Sequence, residues 1–233
     1  WWSRNSAPTC ARASTCATEM KSLRTSALRR WWLRRRAGSG PWACLLRPAP
    51  PGEWVSLDME TTGLDPKRDQ ILSLAAVPVR DGRVLVSERF ERRIRTHRAF
   101  GIESIRHHHI TPEEAARGVA VTEAVREFLT WLEGRTLLGY HLAFDLAMLA
   151  PHVRALTGFA LPNPRVDLAE AFAARARRAQ PNAPPNLDFG HIAGSLGVPV
   201  LGRHSALGDA VTVGLCWLAL QAARQPAGDE RCR

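Results

Sequence analysis

Four acidic residues stand where acids are expensive. The stretch WVSLDMETTGLDP, Trp54 to Pro66, reads as a buried strand that closes on Asp58 and Glu60. Carboxylates one residue apart on a strand share a face and repel each other. Asp145 lies in YHLAFDLAML between Phe144 and Leu146, and Asp209 lies in the first turn of the otherwise apolar HSALGDAVTVGLCWLAL. Each would be costly to bury alone. Singly they have plain structural readings: Asp209 can answer a helix dipole, and Asp145 can cap a local turn. Jointly they point to hard divalent cations, because carboxylates converging on one spot can hold two Mg²⁺ or Mn²⁺. Two such ions about 3.5–4 Å apart clamp the attacking and leaving oxygens of a phosphodiester during in-line displacement. A water nucleophile also needs a base. His204 precedes Asp209 by five residues in the loop entering the same helix, and an imidazole there is suited to accept a proton near neutral pH. The plain alternative is a histidine without a role.

The elements that must position these groups follow from periodicity. Residues 54–59, 70–79 and 83–94 read as three strands, with a hairpin turn at Asp81-Gly82. Thr111, Pro112 and Glu114 form the signature of a capped helix start. Val121, Ala124, Val125, Phe128, Leu129 and Leu132 make one apolar helical stripe. TLLGY, 136–140, reads as a short buried strand. Helices are expected over 142–156, about 187–195 and 205–222, with a Pro/Asn-rich loop at 179–186. The order predicts an α/β domain, a sheet covered by helices. Neither a GxGxxG nor a GxxxxGK[ST] motif is present, so dinucleotide and P-loop readings have no anchor.

The net charge of +10 over 233 residues invites a nucleic-acid reading, but its distribution qualifies it. Residues 1–49 hold ten of the 32 Lys/Arg and one of the 22 Asp/Glu, which leaves 22 basic against 21 acidic residues in the remainder. The basicity belongs to the N-terminal extension, and the near-neutral remainder favours a short single-stranded end over an extended duplex. Cys10, Cys16, Cys44, Cys216 and Cys232 are scattered without CxxC spacing. They support neither a disulfide framework nor a zinc site and fit a reducing cytoplasm. No apolar run reaches the ~18–20 residues that span a bilayer, so no membrane partner is expected.

Three units are expected: a basic, poorly ordered extension over 1–49, a catalytic domain over 50–223 and a tail over 224–233. Met20 opens MKSLRTSALRRWWLRRR and is read as the natural start. The arginine-rich run lacks the apolar segment of a twin-arginine signal. A transit peptide or a basic helix touching nucleic acid also fits the composition, and a solvated extension is preferred.

The motifs together resemble the DEDDh 3′–5′ exonucleases, the DnaQ-like family of the DNA polymerase III epsilon subunit. DMETTGLDP is similar to the family's D-T-E-T-T-G-L-D-P, with Met59 in place of Thr. GYHLAFDLAML resembles G-H-N-x-x-F-D, RHSALGDA matches H-x-x-x-x-D, and IRHHHITPEE resembles I-H-G-I-T-P-E. The similarity runs in order from about Trp54 to Leu220. It implies a ribonuclease H-like fold, a five-stranded mixed sheet with helices on both sides. It also implies that Asp58, Glu60, Asp145 and Asp209 hold two Mg²⁺ or Mn²⁺ and that His204 is the general base. Met59, Thr61 and Leu64 would line the pocket for the 3′-terminal nucleotide, and His108 and His141 would lie on the substrate side. Ser205 stands where the tyrosine-type variant needs Tyr, and Asp-x-Glu stands where a haloacid-dehalogenase-like phosphatase needs Asp-x-Asp.

The chain departs from the family at Tyr140-His141, where His-Asn is usual, and at His109, where Gly is usual. A tri-histidine metal site over His107–His109 is disfavoured, because adjacent side chains rarely share a centre. The expected activity is metal-dependent 3′–5′ hydrolysis of single-stranded DNA or RNA to nucleoside 5′-monophosphates, in proofreading or repair with a polymerase or repair complex. The alternatives are an oligoribonuclease-like RNA exonuclease and a catalytically weak module that binds nucleic-acid ends.

Overall fold

The computed structural model describes residues 39–96 and 100–223. The Met20 start, the arginine-rich run and the tail over 224–233 lie outside the described residues. The first expected strand is β1 (Trp54–Thr61). It pairs antiparallel with β2 (Ile71–Arg80) through the turn-rich segment between them. Asp81 and Gly82 both adopt positive φ (52° and 67°), which closes the next hairpin. The third expected strand, 83–94, is divided in two. A 3-10 turn at Val86–Glu88 separates β3 (Arg83–Val84) from β4 (Phe90–Arg93), and both pair with β2.

Parallel to β1 lies β5 (Thr136–Gly139), and parallel to β5 lies β6 (Arg165–Asp167). The mixed sheet therefore has six strands, in the order β3-β2-β1-β5-β6 with β4 beside β2. The count exceeds the expected five because the interrupted third strand contributes two pieces. This is the ribonuclease H-like arrangement that the motifs imply.

Seven α-helices are found among the described residues. They are α1 (Ile102–His108), α2 (Pro112–Ala116), α3 (Val121–Leu132), α4 (Leu142–Thr157), α5 (Leu168–Ala179), α6 (Phe189–Ser195) and α7 (Ala206–Ala222). The capping box at Thr111 and Glu114 forms as its sequence requires. Gly158 ends α4 in the left-handed conformation at φ 76°. None of these helices is long and apolar enough to cross a membrane.

The strand alternation sorts the core into two layers. Val55, Leu57 and Met59 face the α3–α4 side with Leu74, Phe128, Leu129 and Leu137. The other face packs Val79 and Leu138 against α5, α6 and α7 through Leu168, Phe189, Ile192, Val213 and Trp217. Ahead of residue 50, Leu45 is fully buried in the first layer and Trp42 and Cys44 pack against it. Gly134 admits this segment because any Cβ there would collide with the Arg47 carbonyl. The packed domain thus reaches back into the segment read as extension, whose breaker-rich RPAPPG follows the packed turn.

Candidate active site

Asp58 and Glu60 project from the face of β1 that meets α7. Their cross-strand neighbours on β2 are Ala75 and Ser73, small enough to leave room for them. The β1–β2 register shifts between Glu60 and Thr61, so the ladder is interrupted where the acids sit. Two residues earlier on the same face, the buried Ser56 hydroxyl donates to the Ala210 carbonyl at 2.7 Å. That bond fastens α7 to β1 beside Asp209. Carboxylate oxygens of Asp58, Glu60 and Asp209 all lie within 4.8 Å of one another, the one such candidate metal-binding group among the described residues.

Asp145, in the first turn of α4, is 5% exposed and lies outside that trio. Its charge nonetheless acts on Asp58. The parallel pairing of β1 and β5 brings the start of α4 to the carboxyl end of β1, the usual position for a site in such sheets.

The electrostatics record crowding. Asp58 is held well above the usual carboxylate pKa, first by burial and then by Asp145, Asp209 and Glu60, with Arg203 opposing. Glu60 is raised to about 7, by burial and then by Asp209, again with Arg203 opposing. Asp145 rises to about 8, chiefly by burial, with its own backbone hydrogen bond opposing and Asp167 and Glu60 adding. Oxygen donors of this density fit hard divalent cations, whose charge would relieve the repulsion.

A tight turn delivers the remaining groups. Ser205 donates its N–H to the Gly202 carbonyl at 3.0 Å, so Arg203 and His204 occupy the turn's centre. His204 adopts φ 64° and its N–H donates to Asp209 Oδ2 at 3.2 Å. Its ring meets that of His107 edge-on at 5.3 Å. Partial burial, then the Arg203 guanidinium, lowers the His204 pKa, which favours a neutral ring able to accept a proton. Gly208 is the contact residue beneath this turn. A Cβ there would be driven into the Gly202 and Leu201 carbonyls.

The expected substrate residues separate. Leu64 is 84% exposed on the loop after β1. Asp69 braces that loop, accepting from Thr62 Oγ1 at 3.0 Å and from the Asp65 N–H at 2.9 Å. The Thr61 hydroxyl is used locally, donating to the Gly63 carbonyl at 2.7 Å. Met59 points into the opposite core layer at 7% exposure, so only its main chain faces the site.

His108 is buried. Its Nδ1 accepts from the Ile110 N–H at 3.0 Å and its Nε2 meets Ser104 Oγ at 2.8 Å. Ser104 in turn lies 3.4 Å from the Thr61 carbonyl, so His108 braces α1 against the end of β1. His109 ends α1 at φ 56°, the conformation that suits the family's Gly. His141 is exposed at the start of α4 with φ 54°, a conformation Asn adopts readily. It lines an open cavity of about 620 Å³ with Phe144, Asp167, Arg177 and Leu187. His107 thus meets the His204 ring, whereas His108 is buried against Ser104 and Ile110.

Sequence reasoning passed over Arg203, Ser56, Gly208 and Asp167. Asp167 binds two helix starts: Oδ2 accepts from the Leu142 N–H at 2.9 Å, and Oδ1 from the Ala169 N–H at 2.9 Å. A Gly in the first turn of an apolar helix was the available signal for Gly208, and the Asp before an Ala/Glu/Arg-rich run was the signal for Asp167.

A mixed sheet with carboxylates gathered at the end of its central strand and a histidine turn beside them defines a nuclease-type site. The exonuclease family RNase_T matches residues 55–214, and the chain belongs to that family. Its relatives bear out the DnaQ-like resemblance. A DNA polymerase III subunit epsilon-like protein of Rhodobacter capsulatus is 32% identical over 176 residues, 75% of this chain and 24% of that protein. A PolC-type DNA polymerase III of Thermotoga petrophila is 30% identical over 114 residues, 49% of this chain and 8% of that protein. The chain therefore spans about a quarter or less of these relatives' length. Among solved structures, cell-death related nuclease 4 superposes with a TM-score of 0.64 at 16% identity, covering 76% of this chain and 66% of the nuclease. A zinc-bound exonuclease I–single-stranded DNA complex from E. coli superposes with a TM-score of 0.62 at 19% identity, covering 78% and 42%. These two likenesses are of fold.

Proposed function

We propose that the chain is a metal-dependent 3′–5′ exonuclease that removes nucleoside 5′-monophosphates from single-stranded nucleic acid. The convergence of Asp58, Glu60 and Asp209 within 4.8 Å carries this reading. Those three, completed by Asp145, would hold two Mg²⁺ or Mn²⁺. Bound there, the cations would supply the positive charge that offsets the developing charge on the phosphate and makes water a better nucleophile.

The chain's own groups do the rest. His204 accepts the proton of the attacking water as the new P–O bond forms and the bond to the 3′ oxygen breaks. The leaving oxygen takes a proton from solvent. Main-chain anchoring of His204 to Asp209 keeps base and carboxylates in one frame. Leu64, exposed on its braced loop, would pack on the terminal base or sugar, which would select a free 3′ end and align its last phosphodiester. The epsilon-like relative and the exonuclease I–DNA complex support a DNA substrate and a place beside a polymerase or repair complex. RNA is the second reading.

The test is digestion of matched 5′-labelled DNA and RNA single strands in Mg²⁺. Wild-type protein is expected to shorten DNA stepwise from the 3′ end and to stop in EDTA. His204→Ala should lose about 10²–10⁴-fold, and Asp58→Ala should be inactive. Undiminished activity in either purified variant refutes the role assigned to it. Wild-type binding without cleavage would leave an end-binding module.

A further inference from the structure

The turn that presents His204 carries a second charged group that the proposed chemistry does not use. Arg203 Nη1 donates to Asp209 Oδ1 at 3.2 Å. The same guanidinium lies over the Phe189 ring, 4.4 Å from its centre. Phe189 opens α6 and is 2% exposed, so it is a fixed platform. The Arg203 side chain is itself 43% exposed, whereas the Asp209 side chain is 9% exposed. One partner of the pair is anchored and the other is free to pivot on the ring.

Both oxygens of Asp209 are engaged by this one turn, Oδ1 by the guanidinium and Oδ2 by the His204 N–H. The N–H is neutral and compatible with a neighbouring cation. The guanidinium is not. Although Oδ1 keeps a further lone pair, a divalent ion bound to it would sit within a few ångströms of a permanent positive charge. Arg203 also favours the charged forms of Asp58 and Glu60, so its influence extends across the trio.

We propose that Arg203 is a built-in counter-cation of the carboxylate cluster. It competes with divalent metal for Asp209, gives up its bond to Oδ1 when metal binds while keeping its seat on Phe189, and so sets the metal affinity of the site. The inference rests on the trio being the metal site. It assigns Arg203 a positioning role toward the acids, distinct from hydrolysis itself.

The test is Mn²⁺ titration of the full chain by calorimetry, paired with melting curves in EDTA and in saturating Mn²⁺. Arg203→Met keeps an apolar stem on Phe189 and removes the charge, and Arg203→Lys retains the charge. Arg203→Met is expected to bind Mn²⁺ roughly fivefold more tightly, the worth of one partly exposed ion pair. Arg203→Lys should stay near wild type. In EDTA, Arg203→Met should melt about 2–4 °C lower, since the acids lose their compensation. The gap should close at saturating Mn²⁺. Equal or weaker Mn²⁺ binding by Arg203→Met, or a melting gap that persists at saturation, overturns the proposal and makes the arginine a structural or substrate contact. Failure of wild-type protein to bind Mn²⁺ would instead remove the metal-site reading beneath it.

Discussion

Glu60 and Asp145 titrate near neutrality because they are buried from water and, after that, because their neighbours are acids. Their raised values, about 7 and about 8, carry a stability consequence with a definite sign. A carboxyl whose folded pKa exceeds its unfolded value near 4 stabilises the fold fully below that unfolded value. The contribution is lost as pH rises through the folded value, when the crowded group must ionise. In EDTA, then, the melting temperature should fall between about pH 5.5 and about pH 8.5. Added Mg²⁺ should restore it, and the Mg²⁺-induced rise should be larger at the higher pH, where binding no longer has to expel protons. Glu60→Gln should flatten the EDTA profile. A Mg²⁺ shift that is the same at both ends of this range would show that the acids are not linked to the cation.

At the scale of elements, the site depends on how α7 is seated on β1. The Ser56–Ala210 hydrogen bond and the close approach of Gly208 to the 201–202 carbonyls are its two joints. Ser56→Ala removes one buried hydrogen bond and should cost about 1 kcal/mol of stability with partial loss of activity. Gly208→Ala forces the histidine turn away from the helix. Its loss in kcat should exceed tenfold, a rough figure for displaced catalytic groups. Its circular dichroism should stay close to wild type, and full activity in Gly208→Ala would mean that the turn is free to relocate. These joints were not legible beforehand, because they depend on contacts between residues 154 apart or between a glycine and a backbone carbonyl. By contrast, α3 was legible as one apolar stripe at helical spacing, and β1, β2, α4 and α7 as apolar runs of suitable length between turn and cap signals. β6 has three residues and no room for a pattern. α1 is short and lacks a side-chain cap, and α5 is built from alanine and arginine with few large apolar residues. The acids and His204 were readable as types at spacings. Arg203 stands beside them in RHSALGDA, yet nothing in its local sequence says that its guanidinium folds back onto Asp209.

For the whole molecule, charge and core divide at different places. Leu45 belongs to the core layer and Trp42 donates to the Leu156 carbonyl at 3.0 Å, so residues 42–46 are part of the domain. The charge lies further upstream, with residues 1–38 holding nine Lys/Arg against Glu19 alone. A near-neutral domain that acts on one 3′ end needs few phosphate contacts, whereas a cationic extension would engage phosphates further along the strand and release their counterions. Deleting residues 1–38 should therefore leave the melting temperature unchanged and preserve hydrolysis of very short oligonucleotides. For longer single strands, binding by the deletion variant should depend less on salt, with the log–log slope reduced in magnitude by about 2–4 at about 0.7 per phosphate contact. Superimposable slopes for the two proteins would assign the extension a role away from nucleic acid, and the domain alone would then account for substrate capture.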